Sequence, residues 1–228
     1  MAKLIVPTNV EKYDRIYRGG YDKSYPTIDL VRLEGWYLNK QPGRALDYGA
    51  GTGANSLFLL ERGYDVVAAD AASESIKLID AKFAARPEFD DRARTCLVDP
   101  EAAELPFEND SFDYVICMSV LSLLESKQRI QTMIAEFNRI LKPGGRMITD
   151  INGPESDFAK RGHFVEDDVF EYTLHDDHDQ PLRCYCPQTK EKFAEMFAAF
   201  EVEDLGHVSF QYAGNDSYEF IACVRKPI

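Results

Sequence analysis

Long apolar runs, cysteines and net positive charge are all scarce in this chain of 228 residues. No apolar run approaches the roughly 18 residues that a membrane-spanning helix needs, so we expect no membrane partner. The opening MAKLIVPTNVEKYDRIYRGG has no continuous apolar segment, which disfavours a secretory signal and favours the cytoplasm. The five cysteines are scattered and odd in number, so reduced thiols are expected rather than a disulfide framework.

Basic residues are outnumbered, with 26 Lys and Arg against 39 Asp and Glu and a formal net charge of −13. An acidic surface repels phosphate backbones, so nucleic acid is not expected as a partner. The acidic excess is greatest between Ile151 and Gln180. A solvated face is the simpler interpretation of that segment, and a rim that attracts cationic substrates is the alternative.

From Gly43 onward, short β-rich runs alternate with helical stretches, a pattern typical of a parallel sheet built from βαβ units. The chain then ends in two strand-like runs, EVEDLGHVSF and SYEFIACVRK, whose short connection QYAGND indicates an antiparallel hairpin. The predicted fold class is α/β: a Rossmann-like, doubly wound, seven-stranded sheet, mostly parallel with an antiparallel C-terminal hairpin strand. The five strands predicted before the hairpin are RALDYG, YDVVAAD, ARTCLVD, FDYVICMS and GRMITDI.

Two further segments flank or interrupt this pattern. Residues 1–42 are predicted to form an N-terminal helical cap, with helices over TNVEKYDRIYR and TIDLVRLEGWYLNK. Residues 43–228 are predicted to form the main domain, in which Ser73 is expected to cap the helix SESIKLIDAKFAAR. A polar stretch at about 152–187 is expected to be a lid-like insertion, because long irregular segments in compact domains are usually functional. Within that insertion, His175-x-x-His178 and Cys184-x-Cys186 offer metal-ligand types, but their spacing fits no structural zinc pattern. No metal site is therefore predicted.

The stretch ALDYGAGTGANS, residues 45 to 56, carries three glycines at alternate positions after a buried strand. Such a loop lets a ligand approach the backbone, and it fits either a dinucleotide fingerprint or a nucleoside site. Asp70 ends the next strand, where a carboxylate can accept ribose hydroxyls in both interpretations. Asp47 distinguishes them, because a carboxylate beside a pyrophosphate would be repelled. A ligand with a cationic amino-acid group would instead be attracted by the carboxylate of Asp47.

Together with ELPFENDSFDYVICMSVL and RILKPGGRMITDI, this stretch resembles the class I S-adenosylmethionine-dependent methyltransferases, in their small-molecule branch. The resemblance implies an enzyme that transfers a methyl group from S-adenosylmethionine to an oxygen, nitrogen or sulfur atom of a small molecule. Two alternatives are a non-catalytic S-adenosylmethionine-binding module and a nicotinamide-dependent oxidoreductase. The LKPGG run itself is interpreted as a helix stop and turn without a chemical role.

The resemblance also implies roles for individual residues. Asp47 and the glycine backbone would hold the methionine part of the cofactor, and Asp70 would take the ribose hydroxyls. The acid that meets the adenine is either Asp99 or Glu101, with Glu101 slightly preferred. The whole implied cofactor-binding set is Tyr13, Arg18, Asp47, Gly49, Ala50, Gly51, Gly53, Asp70, Ala71, Asp99, Glu101, Ala102, Cys117 and Met118.

An aromatic segment precedes the main domain. Tyr13 and Tyr17 lie four residues apart, which places them on one helical face. Ordinary packing explains this spacing, and the alternative is a cap that closes over the cofactor, with Gly19 and Gly20 as its hinge. Aromatic faces would also suit a sulfonium cation. If the acceptor needs a general base, the candidates are Tyr21, His163 and Asp150, which no motif supports.

Overall fold

The computed structural model describes residues 8–38, 42–102, 104–173, 181–212 and 215–228. Within these ranges no helix is both long enough and apolar enough to cross a membrane. His175 and His178 lie outside the described residues. In the described part of the chain, no group of three or more His, Cys, Asp or Glu side chains is arranged to hold a metal ion.

A seven-stranded sheet forms the centre of the molecule, with the strand order β3-β2-β1-β4-β5-β10-β9. The first five strands in this order run parallel, and β10 pairs antiparallel with both β5 and β9. The predicted fold class is confirmed. The strands are β1 Arg44–Tyr48, β2 Asp65–Asp70, β3 Ala93–Leu97, β4 Phe112–Cys117, β5 Leu141–Asn152, β9 Glu201–Tyr212 and β10 Asn215–Arg225.

Strand order reverses at β1, which lies between β2 and β4, and ligands of open α/β sheets bind outside the strand ends at such a point. Two apolar clusters cover the two faces of the sheet, because successive side chains of a strand point to opposite faces. The helices are α1 Thr8–Arg18, α2 Ile28–Leu33, α3 Ala54–Glu61, α4 Ser73–Ala84, α5 Lys127–Ile140, α6 Asp157–Arg161 and α7 Lys190–Ala194.

The segment predicted as a lid contains a second, three-stranded antiparallel sheet in the order β6-β7-β8. Its strands are β6 His163–Glu166, β7 Val169–Tyr172 and β8 Leu182–Tyr185. Cys184 and Cys186 are fully buried in a small apolar cluster with Phe170 and Leu182. The two thiols therefore pack as apolar side chains in this cluster.

Two local predictions were wrong, and a third was right only in part. The LKPGG run ends α5 as predicted, but it lies inside β5 rather than in a turn before it, because Gly144 and Gly145 exchange backbone hydrogen bonds with Lys226. Ser73 does not cap α4: the cap position is Ala72, whose side chain accepts no hydrogen bond. The helix predicted over TIDLVRLEGWYLNK is α-helical only to Leu33 and continues as a π-helix, Glu34–Leu38.

Candidate functional site

The glycine loop joins β1 to α3 with three residues in the left-handed region. Gly49, Gly51 and Gly53 have φ values of 70°, 57° and 80°, which side chains rarely adopt. Space is also restricted, because a Cβ added at Gly49 would lie 2.2 Å from Cγ2 of Val120. A Cβ at Gly51 would lie 3.1 Å from the Tyr17 hydroxyl. The loop therefore presents bare backbone to a narrow space.

Two carboxylates anchor this loop. Asp70, at the end of β2, accepts from the backbone N–H of Gly51 and of Ala72, both at 2.8 Å. Burial raises the pKa of Asp70, and these hydrogen bonds oppose the rise. Asp47 lies behind the loop, 1% exposed, where Ser56 Oγ donates to its Oδ2 at 2.5 Å. Burial raises the pKa of Asp47 to about 6, and the Ser56 hydrogen bond partly offsets it.

A cleft runs over the glycine loop and consists of two pockets with empty volumes of about 750 and 690 Å³. They share Tyr13, Tyr17, Gly49 and Ser119, so the two pockets adjoin. The inner pocket is also lined by Asn9, Val10, Tyr48, Asp70, Ala71, Ala72, Pro100, Val120, Leu123, Leu124, Glu125 and Arg129. The outer pocket is also lined by Tyr21, Lys23, Thr27, Ala50, Gly51, Thr52, Ala54, Asn55 and Met118.

Three tyrosines of the N-terminal segment cover the cleft. The ring centroids of Tyr13 and Tyr17 are 6.0 Å apart, and those of Tyr17 and Tyr21 are 6.4 Å apart. Burial raises the pKa of both Tyr13 and Tyr17, so their hydroxyls stay protonated at neutral pH. The tyrosines form a row of aromatic faces over the glycine backbone.

Helix α1 is held over the cleft from two sides. Asn9 Nδ2 donates to the carbonyl oxygens of Leu123 and Arg183, both at 2.9 Å, which joins α1 to β8. Asp14 Oδ1 accepts from the backbone N–H of Glu74 at 2.9 Å. A residue from α1 thus provides the hydrogen bond at the start of α4 that Ser73 was predicted to supply.

The floor of the outer pocket contains a left-handed residue that is not glycine. Ser119 follows β4 with a φ of 62°, and its backbone N–H donates to Asp150 Oδ1 at 2.5 Å. The other oxygen, Asp150 Oδ2, is buried and has no hydrogen-bond partner within the described ranges. Such conformations cost about 1–3 kcal/mol and concentrate at ligand sites.

Asp150 belongs to a group of acidic side chains, which we call the carboxylate cluster: Asp29, Asp150 and Glu219. Asp150 and Ile221 are register partners, so Glu219, two residues from Ile221, lies on the same face of the sheet. Burial raises the pKa of both Asp150 and Glu219, and Asp29 raises both further. Lys23 from the outer pocket acts in the opposite direction.

The structure separates some of the predicted site residues from the cleft. Arg18 forms an exposed ion pair with Glu74 at 3.3 Å rather than lining either pocket. The exposed His163 lies on β6, in the smaller sheet. Glu101 pairs with Arg129 at 3.0 Å.

The remaining predicted residues take varied positions. Asp99 Oδ1 accepts from the backbone N–H of Glu101 at 2.9 Å. Ala102 is exposed, and Cys117 is fully buried in the core below the cleft. Pro100, between the two acids considered for adenine, is the residue of that turn that lines the inner pocket. The predicted residues that line the cleft are Tyr13, Tyr21, Gly49, Ala50, Gly51, Asp70, Ala71 and Met118.

Sequence reasoning missed the far wall of the inner pocket. This wall is a 3-10 helix, Leu121–Leu124, together with Arg129. Arg129 donates to the carbonyl oxygen of Pro100 at 3.1 Å and pairs with Glu125 at 3.4 Å. The signal was present in CMSVLSLL, an apolar run after β4 that is too short for an α-helix of its own.

Comparison with known proteins agrees with this geometry. A family model described as Methyltransferase domain matches residues 46–149. An uncharacterized methyltransferase of Mycobacterium tuberculosis is 33% identical over 129 residues, which are 57% of this chain and 47% of that protein. A demethylmenaquinone methyltransferase of Clavibacter sepedonicus is 34% identical over 122 residues, covering 53% and 46%. This chain thus spans about half the length of these relatives.

A solved structure extends the comparison to nearly the whole chain. The S-adenosylmethionine-dependent methyltransferase of Methanosarcina mazei superposes with a TM-score of 0.73 and 21% identity. The match covers 90% of this chain and 99% of that one. The sheet of this chain contains the antiparallel strand β10, which the strand order of dinucleotide-binding folds does not contain.

Proposed function

We propose that this chain is a class I S-adenosylmethionine-dependent methyltransferase that transfers a methyl group from that cofactor to a small-molecule acceptor. The observation that carries the proposal is the cleft over the glycine loop, bordered by Asp70 and lined by three tyrosines. A small acceptor is supported by the name of the relative from Clavibacter sepedonicus, a demethylmenaquinone methyltransferase. The five unpaired cysteines fit a reducing compartment such as the cytoplasm.

The residues present fit the cofactor. Bare backbone at Gly51 leaves a cradle that a Cβ would fill, and Asp70 is fixed by two backbone hydrogen bonds with its carboxylate beside the inner pocket. We assign Asp70 to the ribose hydroxyls and the glycine loop to the methionine part. Asp47 would act from behind the loop, where a nearby ammonium group would favour its ionised form.

The protein's task is alignment and exclusion of water. When bound, S-adenosylmethionine supplies a methyl group on a positively charged sulfur, so no protein nucleophile is required. The aromatic faces of Tyr13, Tyr17 and Tyr21 would stabilise that positive charge. Helix α1, held by Asn9 and Asp14, would keep bulk water out of the reacting space.

Calorimetric titration of the purified protein with S-adenosylhomocysteine, and separately with NADH, tests this proposal. We expect S-adenosylhomocysteine alone to bind, and Asp70→Ala to weaken it about 100-fold through the loss of charged hydrogen bonds. Asp65→Ala is the matched control, because Asp65 lies exposed at the other end of the same strand. Binding of NADH alone would refute the proposal. Binding of S-adenosylhomocysteine without methylation of any small molecule would identify a binding module instead.

A further inference from the structure

None of the three side chains of the carboxylate cluster lines the inner pocket, so they lie outside the cofactor contacts assigned above. Asp150 is 1% exposed, and its Oδ1 is committed to the backbone N–H of Ser119. Its Oδ2 is buried without a partner among the residues that the structure describes. An unpaired buried carboxylate oxygen is costly, because burial removes water without a replacement hydrogen bond. Ser119, which binds the other oxygen of Asp150, lines the outer pocket, so this carboxylate lies one residue behind the wall of a pocket whose ligand could supply the missing donor.

The charges around Asp150 are unbalanced. From the neighbouring strand, Glu219 faces it, and from α2, Asp29 does so. Lys23, which lines the outer pocket, lowers the pKa of both Asp150 and Glu219. Three carboxyl groups therefore adjoin this ammonium group, and a second cation would reduce the repulsion between them.

We propose that Asp150 and Glu219 bind the amino group of the methyl acceptor, so that the substrate class of this protein is an amine. This inference rests on the proposed function, since it names the acceptor for the same cleft. The amine enters as an ammonium ion and donates hydrogen bonds to Asp150 Oδ2 and to Glu219.

The same pair supplies the proton acceptor that an ammonium ion needs before it can be methylated. One N–H bond breaks, its electron pair stays on nitrogen, and the proton forms an O–H bond at Asp150 Oδ2. Burial raises the pKa of Asp150 well above its usual value and so brings it closer to that of an amine. The freed electron pair is then available for the bond to the methyl carbon.

Matched ligands that differ only in the reacting group test the proposal. The protein is saturated with S-adenosylhomocysteine and titrated by calorimetry with 2-phenylethylamine, 2-phenylethanol and 2-phenylethanethiol, and with the corresponding benzyl, hexyl and indolylethyl compounds. We expect at least one amine to bind tenfold or more tightly than its alcohol and thiol. With trideuteromethyl-labelled S-adenosylmethionine, mass spectrometry should then find the label on nitrogen.

Two variants separate this function from a structural one. Asp150→Asn keeps an oxygen for the Ser119 N–H but replaces the free oxygen by a donor, and Glu219→Gln removes the second charge. Each should weaken the amine at least tenfold while the affinity for S-adenosylhomocysteine stays within threefold. Glu191→Gln, an exposed carboxylate of α7, is the control and should change neither.

Three results would overturn the amine assignment: alcohols or thiols that bind as tightly as amines, no binding by any amine, or amine binding that both variants leave unchanged. Failure of the wild-type protein to bind S-adenosylhomocysteine would instead refute the proposed function. The two failures are therefore distinguishable.

Discussion

The inner and outer pockets of the cleft are assembled in different ways. At the inner pocket, the glycine loop and Asp70 lie close in sequence, since they belong to two consecutive strands joined by one helix, and α1 and the 3-10 helix Leu121–Leu124 complete the walls. The carboxylate cluster beside the outer pocket combines Asp29, Asp150 and Glu219, which lie on one helix and two distant strands. A short stretch of chain can thus encode the loop and the carboxylate that we assign to the cofactor, whereas the proposed acceptor site combines residues from distant parts of the fold.

The largest effect is expected from a substitution in the glycine loop, whose residues are close in sequence. Gly49→Ala places a Cβ 2.2 Å from Val120 Cγ2 at a φ of 70°. We expect the free energy of unfolding to fall by about 4 kcal/mol, because strain and overpacking add and the branched Val120 has little rotamer freedom. Urea unfolding measures this loss. Gly206→Ala in β9, where a Cβ meets no atom within 4 Å, should change it by less than about 0.5 kcal/mol.

A second prediction concerns the charge behind the glycine loop. Burial raises the pKa of Asp47 to about 6, so the folded protein holds a proton that the unfolded chain releases at lower pH. The stability that this proton contributes is therefore lost as the pH rises from about 4 to 6. Asp47→Asn removes this dependence, and its stability relative to wild type should rise by about 3 kcal/mol between pH 4 and 7.

Urea unfolding at both pH values measures that difference, with the exposed Asp91→Asn as the control. A gap between wild type and Asp47→Asn that is the same at pH 4 and pH 7 would show that Asp47 ionises freely. The environment of Asp47 behind the glycine loop would then be more polar than its burial indicates.

The smallest effect is expected where α1 meets α4, since this contact supports the tyrosines that cover both pockets. Asp14→Ala removes the hydrogen bond to the Glu74 N–H and should cost about 1 kcal/mol of stability. The dissociation constant for S-adenosylhomocysteine should rise severalfold, measured by calorimetry. Asp14→Asn keeps an acceptor oxygen and should lie close to wild type. Equal losses in both variants would indicate that charge rather than capping matters at this position.

Predictions from the sequence were most successful where the determining interactions join residues close together in the chain. The alternation of strands and helices gave the sheet, and the glycine spacing located the loop and Asp70. The order of β9 and β10, by contrast, depends on pairing between residues far apart, so no pattern near Asp150 indicates that Glu219 lies beside it. The capping of α4 failed for the same reason, because its partner Asp14 lies 60 residues away.

The LKPGG error had a different cause. Proline and paired glycines usually end regular structure, but here Gly144 and Gly145 continue β5 by pairing with Lys226 beyond the last strand. Turn chemistry is a local preference, and a long-range hydrogen-bond partner overrode it. Arg18 is a second case in which a distant partner overrides a local signal. Its position after Tyr13 and Tyr17 favours a contact with the cofactor, but it instead forms an ion pair with Glu74 from another helix.

The insertion of β10 between β5 and β9 also sets an order in time. A ribosome adds Glu219 about 150 residues after Asp70, a delay of about 8 to 30 seconds at ordinary rates of synthesis. Through that interval the nascent chain already carries the glycine loop and its carboxylates, while Asp150 still lacks the neighbour that repels it. The two acids meet only when the final strand enters the sheet, so their mutual repulsion falls on the last step of assembly rather than the first.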